Sequence, residues 1–312
     1  MPRRNSIRCL VRSLRLVHRY GAAESVQPQN DQKTKGKLAK ALGKDGVLTA
    51  TGTEGLMDLT TFARLAGDDD KLDAAEAQKV VEAEVPESRK HLNPKVATHA
   101  DLLATSFDTI DEIHREAGDK LVEWVVKQYK PGQPLHVTVI CTGNSRRSIL
   151  GATMGNIAAA YYGMPEVCFH SGGTAPTAFN PRTIAALKEI GVEVEPTGSE
   201  APRGEPKTAN PVYTVRWGSG LETTEFSKTY IGEANPQGGF AALMVCGEAD
   251  AGCPVVKGAA VRISMPYLDP KIYDDSVYEA QKYAERRDDI GRLMLCVMMQ
   301  ARNRLSLPPQ RS

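Results

Sequence analysis

Residues 135–151, Leu-His-Val-Thr-Val-Ile-Cys-Thr-Gly-Asn-Ser-Arg-Arg-Ser-Ile-Leu-Gly, constrain this chain more than any other stretch. The β-branched run Val137, Val139 and Ile140 reads as a buried strand that stops at Cys141. A short polar loop follows, and the apolar, turn-free residues 149–162 read as a helix. Within the loop Cys141 and Arg147 stand in the spacing C-x5-R, with Ser148 directly after. A loop wound between a strand end and a helix start points successive N–H groups inward, and the helix terminus adds about half a positive charge. That geometry suits an oxyanion. Arg147 can grip two oxygens of a tetrahedral anion at once, and the same field favours a thiolate. Cys141 is then a nucleophile aimed at the central atom of a bound phosphate or arsenate.

A cysteine at a strand end is most often an inert, buried small hydrophobe, and the bare spacing also arises by chance. The strand before, the helix after and the residues between favour chemistry. Asn144 tolerates a left-handed backbone, and the Ser148 hydroxyl can donate to a thiolate.

The segment Cys-Thr-Gly-Asn-Ser-Arg-Arg-Ser resembles the phosphate loop of the low-molecular-weight protein tyrosine phosphatases and of the thioredoxin-coupled arsenate reductases that share their fold. Further matches follow in the family's order. They are His-Ser-Gly-Gly-Thr at 170–174, Asn-Pro-Arg-Thr-Ile-Ala-Ala-Leu-Lys-Glu-Ile-Gly at 180–191, Val-Cys-Gly-Glu-Ala-Asp-Ala-Gly-Cys-Pro at 245–254, and Asp-Pro at 269–270. The resemblance covers about 134–304. It implies that Thr142, Gly143, Asn144, Ser145, Arg146 and Ser148 form the anion loop around Cys141 and Arg147, with Asp269 as general acid. One departure is plain: the family usually has a second cysteine before the loop arginine, where this chain has Arg146. That adds positive charge beside the loop and removes one thiol partner for Cys141.

Cys246 and Cys253 separate the two activities of the family. A phosphatase needs one thiol, one arginine and one acid, and water completes the hydrolysis. An arsenate reductase also needs two electrons, supplied when a second thiol attacks Cys141 and a third relieves the resulting disulfide. The spacing of Cys246, Cys253 and the trailing Pro254 matches the reductase pattern. Aromatics that would sandwich a tyrosine ring are also displaced, because Lys271 and Ile272 stand between Asp269-Pro270 and Tyr273. The resemblance therefore implies an arsenate reductase with a three-cysteine relay; the alternative is a phosphatase working through a phosphocysteine. The substrate is arsenate or a phosphate ester, with no metal and no bound cofactor expected. The implied partner of a reductase is an external thiol reductant such as thioredoxin.

The remaining chain fixes the surroundings. Lys and Arg total 39 against 38 Asp and Glu, so nothing global points to nucleic acid. No apolar run approaches the roughly 20 residues a membrane-spanning helix needs. Six cysteines scattered over 312 residues make no secreted disulfide framework, which points to a reducing, cytoplasmic setting.

Residues 1–46 read as a basic, disordered tail and linker. Arg8, Arg12, Arg15 and Arg19 follow helical spacing, so a cationic amphipathic helix and an over-long start to the coding region are the competing readings. Residues 47–106 read as a weakly helical extension, with Leu56, Leu59, Phe62 and Leu65 spaced by threes. The acidic run at 67–76 lacks the alternate ligands and central glycine of an EF-hand and reads as a helix start.

From 107 to 305 the expectation is an α/β domain: a four-stranded parallel sheet flanked by helices, with strands at 135–141, 166–171, 240–246 and 259–265. Helices are expected at 107–130, 149–162, 181–190 and 278–305. Residues 196–238 read as an insertion holding one strand at 211–217 and capping the sheet edge. Trp217 and Tyr230 are candidates there for a substrate mouth or a docking surface. Asp274 and Asp275 are competitors for the acid role, read instead as helix-start residues.

Overall fold

The computed structural model describes residues 47–48, 72–73, 87–204, 207–253 and 255–305. The tail and linker read over 1–46, the leucine periodicity at 56–65 and most of the acidic run lie outside the described residues. Within the segment read as a helical extension, β1 (Val47–Leu48) and β2 (Leu72–Asp73) are instead a short antiparallel pair. These four residues fall in a different unit from the described residues that run from Glu87 onward. The unit from Glu87 starts earlier than the 107 read from the sequence. A 3-10 turn (Glu87–His91) and α1 (Pro94–Ala104) precede that point, and α1 buries Val96, Ala97, Ala100 and Leu103 against the domain's last helix.

The centre of the unit is a four-stranded parallel sheet in the order β4-β3-β8-β9. Its strands are β3 (Leu135–Cys141), β4 (Val167–Gly173), β8 (Phe240–Met244) and β9 (Ala259–Ser264). Every pairing is parallel, with Cys141 opposite Gly173 and Ile140 opposite Met244. The two inner strands are nearly continuous apolar runs because both of their faces are covered. β9 lies at the edge and keeps several half-exposed residues.

The helices take their places from the sequence. After α2 (Glu112–Gln128) comes α3 (Arg147–Tyr161), then α4 (Pro181–Glu189), α5 (Gly247–Gly252) and α6 (Glu279–Leu305). α3 is buried almost all round, which is how a helix with no polar face must sit. Its glycines allow that: a Cβ on Gly151 would stand 2.8 Å from a Val139 methyl, and one on Gly155 would run into the Phe169 ring. α6 packs on α1, α2, α3 and α4 through a stripe of Ile290, Leu293, Met294, Val297 and Met298. The single helix expected at 107–130 is two pieces. A 3-10 turn covers Phe107–Thr109, and Asp111 then caps α2 by accepting from His114 N at 2.9 Å. Ile113, in the first turn of α2, is 68% exposed.

Residues 193–225 form a second, antiparallel sheet rather than a lone strand. β5 (Glu193–Glu200), β6 (Pro211–Gly218) and β7 (Leu221–Glu225) pair in that order, and β6 and β7 turn through Gly220 at φ +69°. The chain leaving β7 returns to the edge strand β4: Gly173 N donates to Lys228 O at 2.9 Å, and Tyr230 N to Gly173 O at 3.0 Å. The inserted segment therefore does cap the sheet edge. Trp217 is buried there, and Asn93 N donates to its carbonyl at 2.9 Å.

Candidate active site

The loop between β3 and α3 is held from outside by its carbonyls. Cys141 O accepts from Thr174 N at 3.1 Å, Thr142 O from Ala175 N at 2.9 Å, and Ser145 O from Asn180 N at 3.2 Å and Thr183 Oγ1 at 3.3 Å. Gly143 O accepts from Thr177 N at 2.9 Å, Thr177 Oγ1 at 3.2 Å and Ser227 Oγ at 3.0 Å. With its carbonyls spent outward, the loop turns its amides the other way. None of the N–H groups of 143–146 donates to an acceptor among the described residues. Such a run of unpaired amides at a helix start is an anion-binding concavity.

Asn144 takes the one left-handed step of the loop, at φ +41°. Its amide Nδ2 donates to Ser148 Oγ at 2.9 Å and to Ser171 Oγ at 2.8 Å. Gly173 must lack a Cβ, which would lie 2.6 Å from Thr142 O and 2.8 Å from Asn144 N. Cys141 is buried, and its Sγ lies 3.1 Å from Ser148 Oγ.

Arg147 is 9% exposed at the helix start. Its Nη1 donates to Tyr267 O at 2.8 Å and its Nη2 to Asp269 Oδ2 at 2.6 Å. The third face of the guanidinium is free: Nε is buried with no partner among the described residues. Asp269 also caps the 3-10 turn Pro270–Tyr273, its Oδ1 accepting from Lys271 N at 3.0 Å. The structure thus brings Cys141, Ser148, Arg147 and Asp269 together. Asp269 reaches the loop by holding its arginine, so an anion entering the loop competes with it for the guanidinium.

Arg146 behaves differently from the sequence reading, which put its charge beside the anion loop. Its Nε donates to Tyr283 OH at 2.8 Å and its Nη2 lies 3.5 Å from Asp274 Oδ2. The side chain is thereby turned toward α6 and neutralised, and only its backbone amide belongs to the cradle. Burial first, and then the Asp274 carboxylate, push the Tyr283 hydroxyl up to about 12. Asp274 is thereby committed to Tyr283 and Arg146, and it precedes α6 instead of starting it.

Cys246 ends the run of β8 beside the loop. Thr142 Oγ1 lies 3.2 Å from Cys246 Sγ and donates to Glu248 Oε2 at 3.2 Å. Cys246 is fully buried and caps α5, its sulfur accepting from Ala249 N at 3.2 Å. Cys253 closes the other end of α5, half-buried, with Tyr230 OH 3.6 Å from its sulfur. That contact, together with burial, raises the Tyr230 pKa. Tyr230 therefore lines a thiol rather than an open mouth, and its backbone closes on Gly172. Sequence reasoning missed Thr177, Ser227, Glu225 and Lys228 as loop supports. They lie outside every quoted motif, whereas Ser171, Thr174, Asn180 and Thr183 fall within quoted ones.

No family model and no curated protein matches this sequence. Among solved structures, the thioredoxin-dependent arsenate reductase of Corynebacterium glutamicum aligns over 86% of this chain and 98% of that one, at 14% identity and a TM-score of 0.30. A likeness of that size says nothing about chemistry, which rests on the residues above.

Proposed function

We propose that this protein carries out arsenate reductase-type oxyanion chemistry through Cys141. The observation that supports it most is the convergence at one strand end of a buried thiol, four unpaired amides and the free Nε of Arg147. These are donors aimed where an oxyanion's charge must sit. In this reading the Cys141 thiolate attacks As(V), an S–As bond forms and hydroxide leaves, protonated by Asp269. The Cys246 thiolate then attacks Cys141 Sγ. An S–S bond forms, the S–As bond breaks, and its electron pair reduces arsenic to As(III), which departs as arsenite. Cys253 attacks Cys246 Sγ, freeing Cys141 as thiolate and leaving a Cys246–Cys253 disulfide. An external dithiol such as thioredoxin returns that disulfide to two thiols.

The position of Cys246 supports the second step, since it follows the strand next to β3 and touches the loop through Thr142. The third step requires α5 to open. Cys246 and Cys253 cap opposite ends of that helix, about 10 Å apart at its rise per residue, and a disulfide needs about 5.5–6 Å between Cα atoms. Six residues, two of them glycine, make a helix that unwinds at small cost.

Cys141, Arg147 and Asp269 serve equally a second reading, a phosphatase that forms a phosphocysteine and hydrolyses it with water. One pair of assays separates them. Arsenate with thioredoxin and a nicotinamide-coupled thioredoxin reductase should consume nicotinamide cofactor in proportion to arsenite formed. A phosphotyrosine mimic should be hydrolysed slowly at most. Rapid ester hydrolysis with no arsenate-dependent cofactor oxidation would reverse the choice.

A further inference from the structure

Two consecutive arginines leave the anion loop in different directions and meet one segment at its two ends. Arg147 reaches Asp269, and Arg146 reaches Asp274 at the far side of the 3-10 turn Pro270–Tyr273. Within that turn only Pro270 is buried. Lys271 and Ile272 are exposed, as are Asp275, Ser276, Val277 and Tyr278 beyond it. A segment with so little apolar burial is cheap to displace, and its position rests on its polar contacts.

The contacts at the two ends differ in kind. Asp269 Oδ2 accepts from Arg147 Nη2 at 2.6 Å, and an entering oxyanion claims the same guanidinium. Substrate therefore loosens the segment at the residue that must stay near. The far end lies outside this competition. Tyr283 OH accepts from Arg146 Nε at 2.8 Å and donates to Asp274 Oδ1 at 2.8 Å, while Arg146 Nη2 lies 3.5 Å from Asp274 Oδ2. Tyr283 is 1% exposed on α6, so the bridge is anchored in the core. Arg182 steadies the next residue, its Nη2 donating to Asp275 Oδ1 at 2.6 Å.

Resting on the reading of Cys141 as nucleophile and Asp269 as general acid, we propose that Arg146 is a positioning residue. Through Tyr283 and Asp274 it tethers the 269–274 segment to the anion loop when the oxyanion takes Arg147 from Asp269, so that the acid stays within reach of the leaving oxygen. A cysteine at this position, which the family resemblance would call for, has neither the length nor the charge to make these contacts.

The test is arsenite formation by the full-length protein without reductant, so that each molecule turns over once, with arsenate varied in excess and thermal melting in parallel. Asp269→Asn should lower the limiting rate about 100-fold. Arg146→Gln should lower it about tenfold and leave the half-saturating arsenate concentration within about twofold, because the side chain does not touch the anion. Placed on Asp269→Asn, Arg146→Gln should cost nothing further, since both act through one proton transfer. A merely structural contact would cost the same factor in both backgrounds. Arg146→Lys keeps a charge for Asp274 and should recover part of the rate. Tyr283→Phe cuts the same bridge and should also slow the limiting rate, which covers the case of an Arg146 variant that fails to fold. Three results would overturn the proposal while sparing Asp269 as the acid: an unchanged limiting rate in Arg146→Gln or Tyr283→Phe, a loss seen only in half-saturation, or a full loss on top of Asp269→Asn. Asp269→Asn at the wild-type rate would end the acid reading and this one with it. If the wild type hydrolyses the phosphotyrosine mimic and forms no arsenite, the same variants are compared on the ester with the same expectations. A wild type that does neither ends both readings.

Discussion

Cys141 and Cys246 follow adjacent strands and Cys253 lies one short helix beyond Cys246, yet the surroundings of Cys141 and of the Cys246–Cys253 pair are built oppositely. The Cys141 loop is braced at the carbonyls of residues 141, 142, 143 and 145, and its helix is buried almost all round. The helix between Cys246 and Cys253 has six residues, begins and ends in glycine, and buries only Ala249. An attacking thiolate must be held still against its target, whereas two thiols that are to join across a helix must be free to move. The account assigns rigidity to the first thiol and pliability to the second pair.

Breaking the rigid side should cost most. Cys141→Ser should abolish both arsenate reduction and any ester hydrolysis, because no nucleophile remains. Arg147→Lys keeps the charge but loses the planar fork, and turnover should fall about 100-fold or more. Gly173→Ala pushes a Cβ onto the loop backbone and should lower turnover together with stability, by about 1–3 kcal/mol in a denaturant titration. Intact turnover in that variant would show that the cradle tolerates displacement.

The pliable side should respond more selectively. Cys246→Ser should stop reduction and leave ester hydrolysis largely intact, since water needs no second thiol. Gly247→Ala and Gly252→Ala place methyl groups in open space and strengthen α5 by up to about 1 kcal/mol each. The pair should slow formation of the Cys246–Cys253 disulfide roughly tenfold without changing Cys141 alkylation. Unchanged disulfide kinetics would mean that α5 need not open.

The smallest effect is on stability. His170 is held neutral, its pKa lowered from 6.5 to about 3 first by burial. The unfolded chain binds this proton more readily, so His170 adds nothing against folding above about pH 6.5 and disfavours the folded state progressively as pH falls from there toward about 3. A His170→Asn variant should show a shallower loss of melting temperature over that range.

The parallel sheet was legible because its strands are continuous apolar runs such as 137–140 and 240–244, each bounded by a loop and a helix. The second sheet was not. β5 buries only Val194 among its eight residues and contains Pro196 and Gly198, so it shows no period of two. The site was legible where one short stretch carries it, at Cys141, Arg147 and Ser148. It was opaque where the supports come from elsewhere: nothing around Glu225 or Lys228 signals that they reach Ser171. Arg146 was misread for the same reason, since its direction depends on Tyr283, 137 residues away.

The central claim is that Cys141 and Cys246 exchange directly once arsenic is bound. The most direct measurement uses Cys253→Ser, treated with one equivalent of arsenate without reductant, alkylated and digested for peptide mass analysis. The account predicts a Cys141–Cys246 disulfide and one arsenite released per protein molecule. Two alkylated thiols at Cys141 and Cys246, with arsenate unchanged and ester hydrolysis at the wild-type rate, would contradict it.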